Sequence, residues 1–170
     1  AFVATSMEAR GTNEYIVHLA TELMRRGKDV AVFCGPGPML RFLAENEIPV
    51  ETFEHLGRRR FAARERDRFV STLTRFAPQV IHAQTVQMAG LLKQLSDHVA
   101  VPVLLTLHAP PAHSRKLRAV LSSVAAIVAT SQYVREELVN EIGVEKSSIR
   151  MVPNGIDVDA LARETVRPIF

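Results

Sequence analysis

Six histidines, His18, His55, His82, His98, His108 and His113, are the first residues in this chain that could do acid–base, hydrogen-bonding or metal chemistry. No two share the i, i+4 spacing of a helical metal pair. His108 and His113 are separated by Pro110 and Pro111, so no metal site is expected. His108 closes the apolar run 103–107 and places a polar ring at the end of a buried strand. Spacing alone leaves two readings for it, a satisfied polar side chain or a group that faces a ligand. His82 lies inside the run 79–83 and reads as buried with a hydrogen-bond partner; Gln84 follows at that strand's end.

Arg10 and Gly11 stand before a helical stripe. Glycine there lets a ligand approach the backbone, and the free N–H groups of a helix start favour an anion. The guanidinium of Arg10 suits a phosphate, although a loop glycine beside a solvated arginine is the plain alternative. Asn154 and Gly155 follow Pro153 as a turn pair. Ser131 reads as the cap of the helix after it. Arg115 and Lys116 read chiefly as a solvated helix face.

Residues 57–69, GRRRFAARERDRF, hold six arginines against Glu65 and Asp67, a local charge of +4 within a chain of net charge +3. The basic character is therefore one patch, with Arg58, Arg59, Arg60 and Arg64 at its head. A solvated face is one reading of it. The other is docking on anionic lipid, with Phe61 as a shallow apolar anchor if it is exposed.

These residues need a frame. At 170 residues, 47% hydrophobic and 23% charged, the chain reads as one folded domain rather than a disordered one. No run approaches the ~18 apolar residues of a membrane span. The N-terminal AFVATSMEARGT has no basic region and does not read as a secretory leader. The single Cys34 excludes an internal disulfide and suits a reducing, cytoplasmic setting; at the end of an apolar run it reads as a small buried hydrophobe.

Helical periodicity over 12–27 places Ile16, Leu19, Ala20 and Leu23 on one stripe. Further helices are expected near 38–46, 62–76, 88–95, 114–122 and 132–142. Strands are expected at 1–5, 29–34, 50–53, 79–83, 101–107, 125–130 and 149–152. Continuous apolar strands alternating with helices predict an α/β fold: a Rossmann-like, doubly wound, three-layer parallel sheet of about seven strands in a single domain. Ligands of such sheets bind at the carboxyl ends of the strands. The first strand-to-helix loop, SMEARGT, has one glycine, so the dinucleotide fingerprint is missing, and no P-loop triplet occurs.

The strand-end segments remain: Gly11 before LATELMRRGKDVAVF, then PQVIHAQ, PVLLTLHAPP, IVATSQYVREEL and IRMVPNGIDVDAL. Together and in this order they resemble the N-terminal domain of family-four, GT-B-fold retaining glycosyltransferases, over residues 1–162. The resemblance implies two facing lobes, with the acceptor on this one and a nucleotide-diphospho-sugar donor chiefly on a C-terminal lobe that this sequence does not contain. Residues 163–170 would begin the linker, and the chain reads as a fragment that is inactive alone. By the same resemblance His108 lies against the transferred sugar in a hexosyl transfer. Arg10, Gly11, Gln84, Asn154 and Gly155 would contact acceptor or donor. The acceptor would be a hydroxyl compound, phosphorylated or lipid-linked in some members.

The family carries Gly-Gly where Arg10 and Gly11 stand, and commonly glutamate at Asn13. The resemblance implies no cofactor, no metal and no nucleic-acid partner, and a cytoplasmic enzyme that can be peripheral on the inner membrane face. The rival expectations are a sugar-nucleotide epimerase or other GT-B-like enzyme, and a free-standing domain that binds a sugar phosphate or a membrane.

Overall fold

The computed structural model describes residues 1–58, 61–113, 116–156 and 158. Seven strands form one all-parallel sheet in the order β3-β2-β1-β4-β5-β6-β7. In chain order they are β1 (Phe2–Ala4), β2 (Val32–Cys34), β3 (Val50–Thr52), β4 (Ile81–Ala83), β5 (Val103–Leu107), β6 (Ala126–Ala129) and β7 (Ile149–Met151). The helices between them are α1 (Gly11–Arg25), α2 (Leu40–Glu45), α3 (Ala63–Phe76), α4 (Val86–Gln94), α5 (Leu117–Leu121) and α6 (Gln132–Asn140). The expected alternation stands, with shorter strands. Val30 and Ala31, for example, are buried ahead of β2, although the ladder begins only at Val32. Residues 163–170 and Arg115 lie outside the described residues.

The two-residue period of the strands divides the interior in two. Phe2, Ala4, Val32 and Cys34 face one side and pack with Ile16, Val17 and Ala20 of α1 and Leu43 of α2. Val3 and Phe33 face the other side, where Phe69, Leu73, Met88, Leu92, Leu121 and Leu138 from α3–α6 cover the sheet. Cys34 is fully buried, as expected, and burial pushes its thiol pKa up to about 12, so it stays a neutral apolar group. Under α3, Phe69 stands edge-on to Phe33 at 6.1 Å and to Phe53 at 5.3 Å. Such pairs add about 0.5–1.5 kcal/mol each beyond their burial.

This aromatic cluster corrects one expectation. Phe61 is half-buried and packs edge-on against Phe69 at 6.3 Å, so it is part of the core margin and not an exposed anchor. Arg68 is also taken up locally: its guanidinium lies 4.1 Å from the Phe53 ring centre and 3.6 Å from the Glu51 carboxylate.

Candidate functional site

Strand order reverses at β1: its chain successor β2 pairs on one side and β4 on the other. The loops after β1 and β4 therefore diverge, and they leave a crevice at the carboxyl edge of the sheet. The loop over residues 5–10 is held by its neighbours. Asn13 is buried, and its Nδ2 donates to the Glu8 carbonyl at 2.7 Å. The side chain at the position where the family commonly has glutamate thus pins the loop from within. The β2–α2 loop supports the same segment from below. Met7 N–H donates to the Pro36 carbonyl at 3.2 Å, and Met39 N–H to the Met7 carbonyl at 2.9 Å. A Cβ on Gly35 would strike the Thr5 carbonyl, and one on Gly37 would strike the backbone of Met7. Only glycine allows that approach.

The loop ends at Arg10, which is exposed, extended at φ −144° and ψ 148°, and caps α1 without a side-chain hydrogen bond. Gly11 opens the helix; a Cβ there would meet nothing of this chain within 4 Å. Asn13 N–H and Glu14 N–H donate to the Arg10 carbonyl at 2.8 and 3.1 Å, so of the helix start's free donors those of Gly11 and Thr12 are left for an anion.

Across the crevice stand the ends of β4 and β5. His108 is half-buried, and its Nε2 lies 2.9 Å from Gln84 Oε1. With the Gln84 oxygen placed there, Nε2 carries the proton and donates. The other ring nitrogen, Nδ1, then has a free lone pair, which Asn154 Nδ2 approaches at a long 3.5 Å. Burial pulls the His108 pKa below its ordinary value, in keeping with a neutral ring. Gln84 is itself buried, and its Nε2 has no partner within the described residues, a donor left over at the crevice wall.

Behind His108 sits a buried layer. His82 Nε2 is 2.6 Å from Thr106 Oγ1, the hydrogen-bonded burial expected for it. Desolvation, then repulsion from His108, lowers its pKa to about 4. Tyr15, on the first turns of α1, stands edge-on to His108 at 4.9 Å and to His82 at 6.1 Å. Burial raises the Tyr15 pKa, and the Thr106 hydroxyl partly offsets the rise. Sequence reasoning missed Tyr15 and named Asn13 only as a departure from the family's glutamate, without its hold on the loop. The available signal was an aromatic and an amide near the helix start, on the edge of the apolar stripe.

Of the expected site residues, the structure brings His108, Gln84 and Asn154 together, with Tyr15 added. Arg10 and Gly11 lie on the β1 side of the same edge. Gly155 is exposed, and a Cβ there would also meet nothing within 4 Å. Arg58 and Arg64 are exposed, whereas Arg59 and Arg60 lie outside the described residues. Ser131 caps α6, its Oγ accepting from Val134 N–H at 3.3 Å. Among the described residues no three His, Cys, Asp or Glu side chains gather at one point, and no helix is long and apolar enough to cross a membrane.

A family model described as Glycosyltransferase Family 4 matches residues 9–160. Among solved structures, a glycosyltransferase from Rickettsia africae superposes with a TM-score of 0.76 at 13% identity, over 98% of this chain and 46% of that one. HepE from Anabaena, in complex with UDP, gives a TM-score of 0.72 at 18% identity, over 93% and 44%. Sucrose-phosphate synthase from Thermosynechococcus elongatus gives 0.61 at 17% identity, over 93% and 49%. At these identities the likeness is one of fold. The chain spans about half the length of these structures. Among curated protein sequences, nothing matches it.

Proposed function

The chain belongs to Glycosyltransferase Family 4, and we propose that it is the acceptor-side half of a retaining, two-lobed enzyme that transfers a hexosyl group. The donor is a nucleotide-diphospho-sugar, held mainly by the second lobe. HepE is solved with UDP and with UDP-glucose, which supports that class of donor. The acceptor is a hydroxyl compound, and Arg10 with the start of α1 provides contacts for an anionic group on it or on the donor. An anionic membrane face as a further partner rests on the exposure of Arg58 and Arg64. A cytoplasmic setting goes with the buried, unpaired Cys34.

In this reading the acceptor oxygen attacks the sugar's anomeric carbon on the face that the donor phosphate leaves. The anomeric C–O bond to phosphate breaks, a new one to the acceptor forms, and the departing phosphate takes the hydroxyl proton. His108 neither gives nor takes that proton. It orients the sugar.

The observation that carries the proposal is the setting of His108: a neutral ring at the end of β5, its Nε2–H engaged by Gln84 at 2.9 Å. Its Nδ1 can then accept from a sugar hydroxyl, displacing the long contact to Asn154. The test is His108→Ala in the proposed full-length enzyme. Losing a hydrogen bond made chiefly in the transition state should lower kcat by about 10- to 100-fold, with KM and the melting temperature little changed. A strongly lowered melt with specific activity retained would make His108 a core residue and overturn the assignment.

A further inference from the structure

A groove of about 470 Å³ lies between the β3–α3 loop, α4 and the start of α5. Phe61, Val86, Leu91, Leu117 and Val120 give it apolar walls. Arg58, Arg66 and Lys116 stand around it, all exposed, and among the described residues no carboxylate lines it. The ion pairs among the described residues engage Arg26, Arg68 and Arg75 instead.

The loop that carries Arg58 is fixed in place. Gly57 has φ +68°, and a Cβ on it would strike Met88 Cε of α4. Gln87 Nε2 donates to the Gly57 carbonyl. Arg58 N–H donates to the His55 carbonyl at 2.8 Å, and Phe61 N–H to the Arg58 carbonyl at 3.0 Å. On the far wall, Lys93 Nζ donates to the Ala119 carbonyl at 2.8 Å and holds α5 against α4.

Gly90 gives this groove its depth. It sits mid-helix in α4, where glycine is weaker than alanine. A Cβ there would meet only Val120 Cγ2, at an ordinary 3.6 Å. Packing within the chain therefore does not demand glycine; what its missing side chain leaves open is the groove. A second cavity of about 390 Å³ shares Arg66 and Gln94 with the first and continues past Asp67 and Ser71 to Leu95 and His98. From Val86 to Leu95 the crevice follows α4 for about 14 Å at the helical rise.

We propose that this groove binds an anionic amphiphile, a phosphate monoester on a single alkyl chain. The phosphate lies among Arg58, Arg66 and Lys116, and the chain passes over Gly90 along the apolar walls. The cations of the first groove, whose described lining holds no carboxylate, suit the anion, and its apolar surface suits the chain; Asp67 lies only in the second cavity. The proposal stands apart from the transfer chemistry, since it concerns the α3–α5 face and is tested without any sugar donor.

The experiment is titration calorimetry of the chain with decyl phosphate below its micellar concentration, beside decyl maltoside and inorganic phosphate. Decyl phosphate should bind saturably at one site, and the other two probes roughly tenfold or more weakly. Gly90→Leu, which fills the groove, and the exposed pair Arg58→Ser with Lys116→Ser should each weaken decyl phosphate by about tenfold or more while the thermal melt is retained. The surface pair keeps the test decisive should Gly90→Leu fold poorly. No binding of decyl phosphate, equal binding of the three probes, or unchanged affinity in a folded Gly90→Leu would overturn the proposal. Pelleting with phosphatidylglycerol vesicles that a folded Gly90→Leu leaves unchanged, without monomer binding, would replace the groove by a flat membrane contact and overturn it as well.

Discussion

Two histidines at neighbouring strands divide the work by depth. His108 ends β5 at the crevice, while His82 lies one layer behind it, against Thr106 at 2.6 Å. Burial holds the folded-state pKa of His82 near 4, against about 6.5 for a histidine in an unfolded chain. Between those values the unfolded state binds a proton that the folded state refuses. Stability contributed by neutral His82 is thus present above about pH 6.5 and is lost as pH falls toward 4, by about 3 kcal/mol at full extent. Urea unfolding at pH 7 and pH 4.5 should show wild type losing more stability on acidification than His82→Gln; equal losses would remove this linkage. The depth of His82 was legible in the sequence, because a polar residue inside an apolar run must find a partner. The contact between His108 and Gln84 was legible only as two strand ends, since adjacency of β4 and β5 is a property of the sheet. Tyr15 was hidden by its position on the helix stripe, where an aromatic residue reads as ordinary packing.

At the scale of elements, chain reversals show where glycine is required and where it is missing. α1 ends in a Schellman motif: Gly27 is left-handed, its N–H donates to Met24, and Lys28 N–H donates to Leu23. α2 ends in the same motif with Glu47 at φ 54°, Glu47 N–H donating to Ala44 and Ile48 N–H to Leu43. A side chain is strained in that conformation, so Glu47→Gly should stabilise by about 0.5–1 kcal/mol, or about 1–4 °C in melting temperature. Gly35→Ala should act in the opposite sense, because its Cβ meets the Thr5 carbonyl. A loss of about 1–3 kcal/mol is expected, as for overpacking. Thermal melts of the two variants check both signs, and a stabilising Gly35→Ala would show that the β1–α1 loop can give way. The succession of strands and helices was legible, because buried parallel strands are continuous apolar runs and helices carry a stripe. The strand order was not, since it is set by pairing between residues as distant as Phe2 and His82.

For the molecule as a whole, the order of the strand-end segments carried the family resemblance, and the family model spans the same region, residues 9–160. The groove beside Gly90 was beyond sequence reasoning, because Arg58, Gly90 and Lys116 meet only when α3, α4 and α5 lie side by side. In the proposed two-lobed reading this lobe supplies one half of the crevice at the sheet edge. Arg10 and the start of α1 lie on one side of the strand reversal, and His108 on the other. Catalysis by orientation and preorganised charge needs both partners held, and a donor that touches one wall keeps most of its freedom. The two buried cores do not depend on the crevice, so the 170-residue chain should unfold in one cooperative transition. It should nevertheless transfer no sugar, and it should bind UDP-, GDP- and ADP-sugars no more tightly than about millimolar. Calorimetry with the three donors, beside a thermal melt, measures both halves of this expectation. A micromolar donor affinity in the chain alone would mean that the α1 side of the crevice, with Arg10 and Gly11, holds the nucleotide-sugar by itself, and the division of labour between two lobes would have to be redrawn.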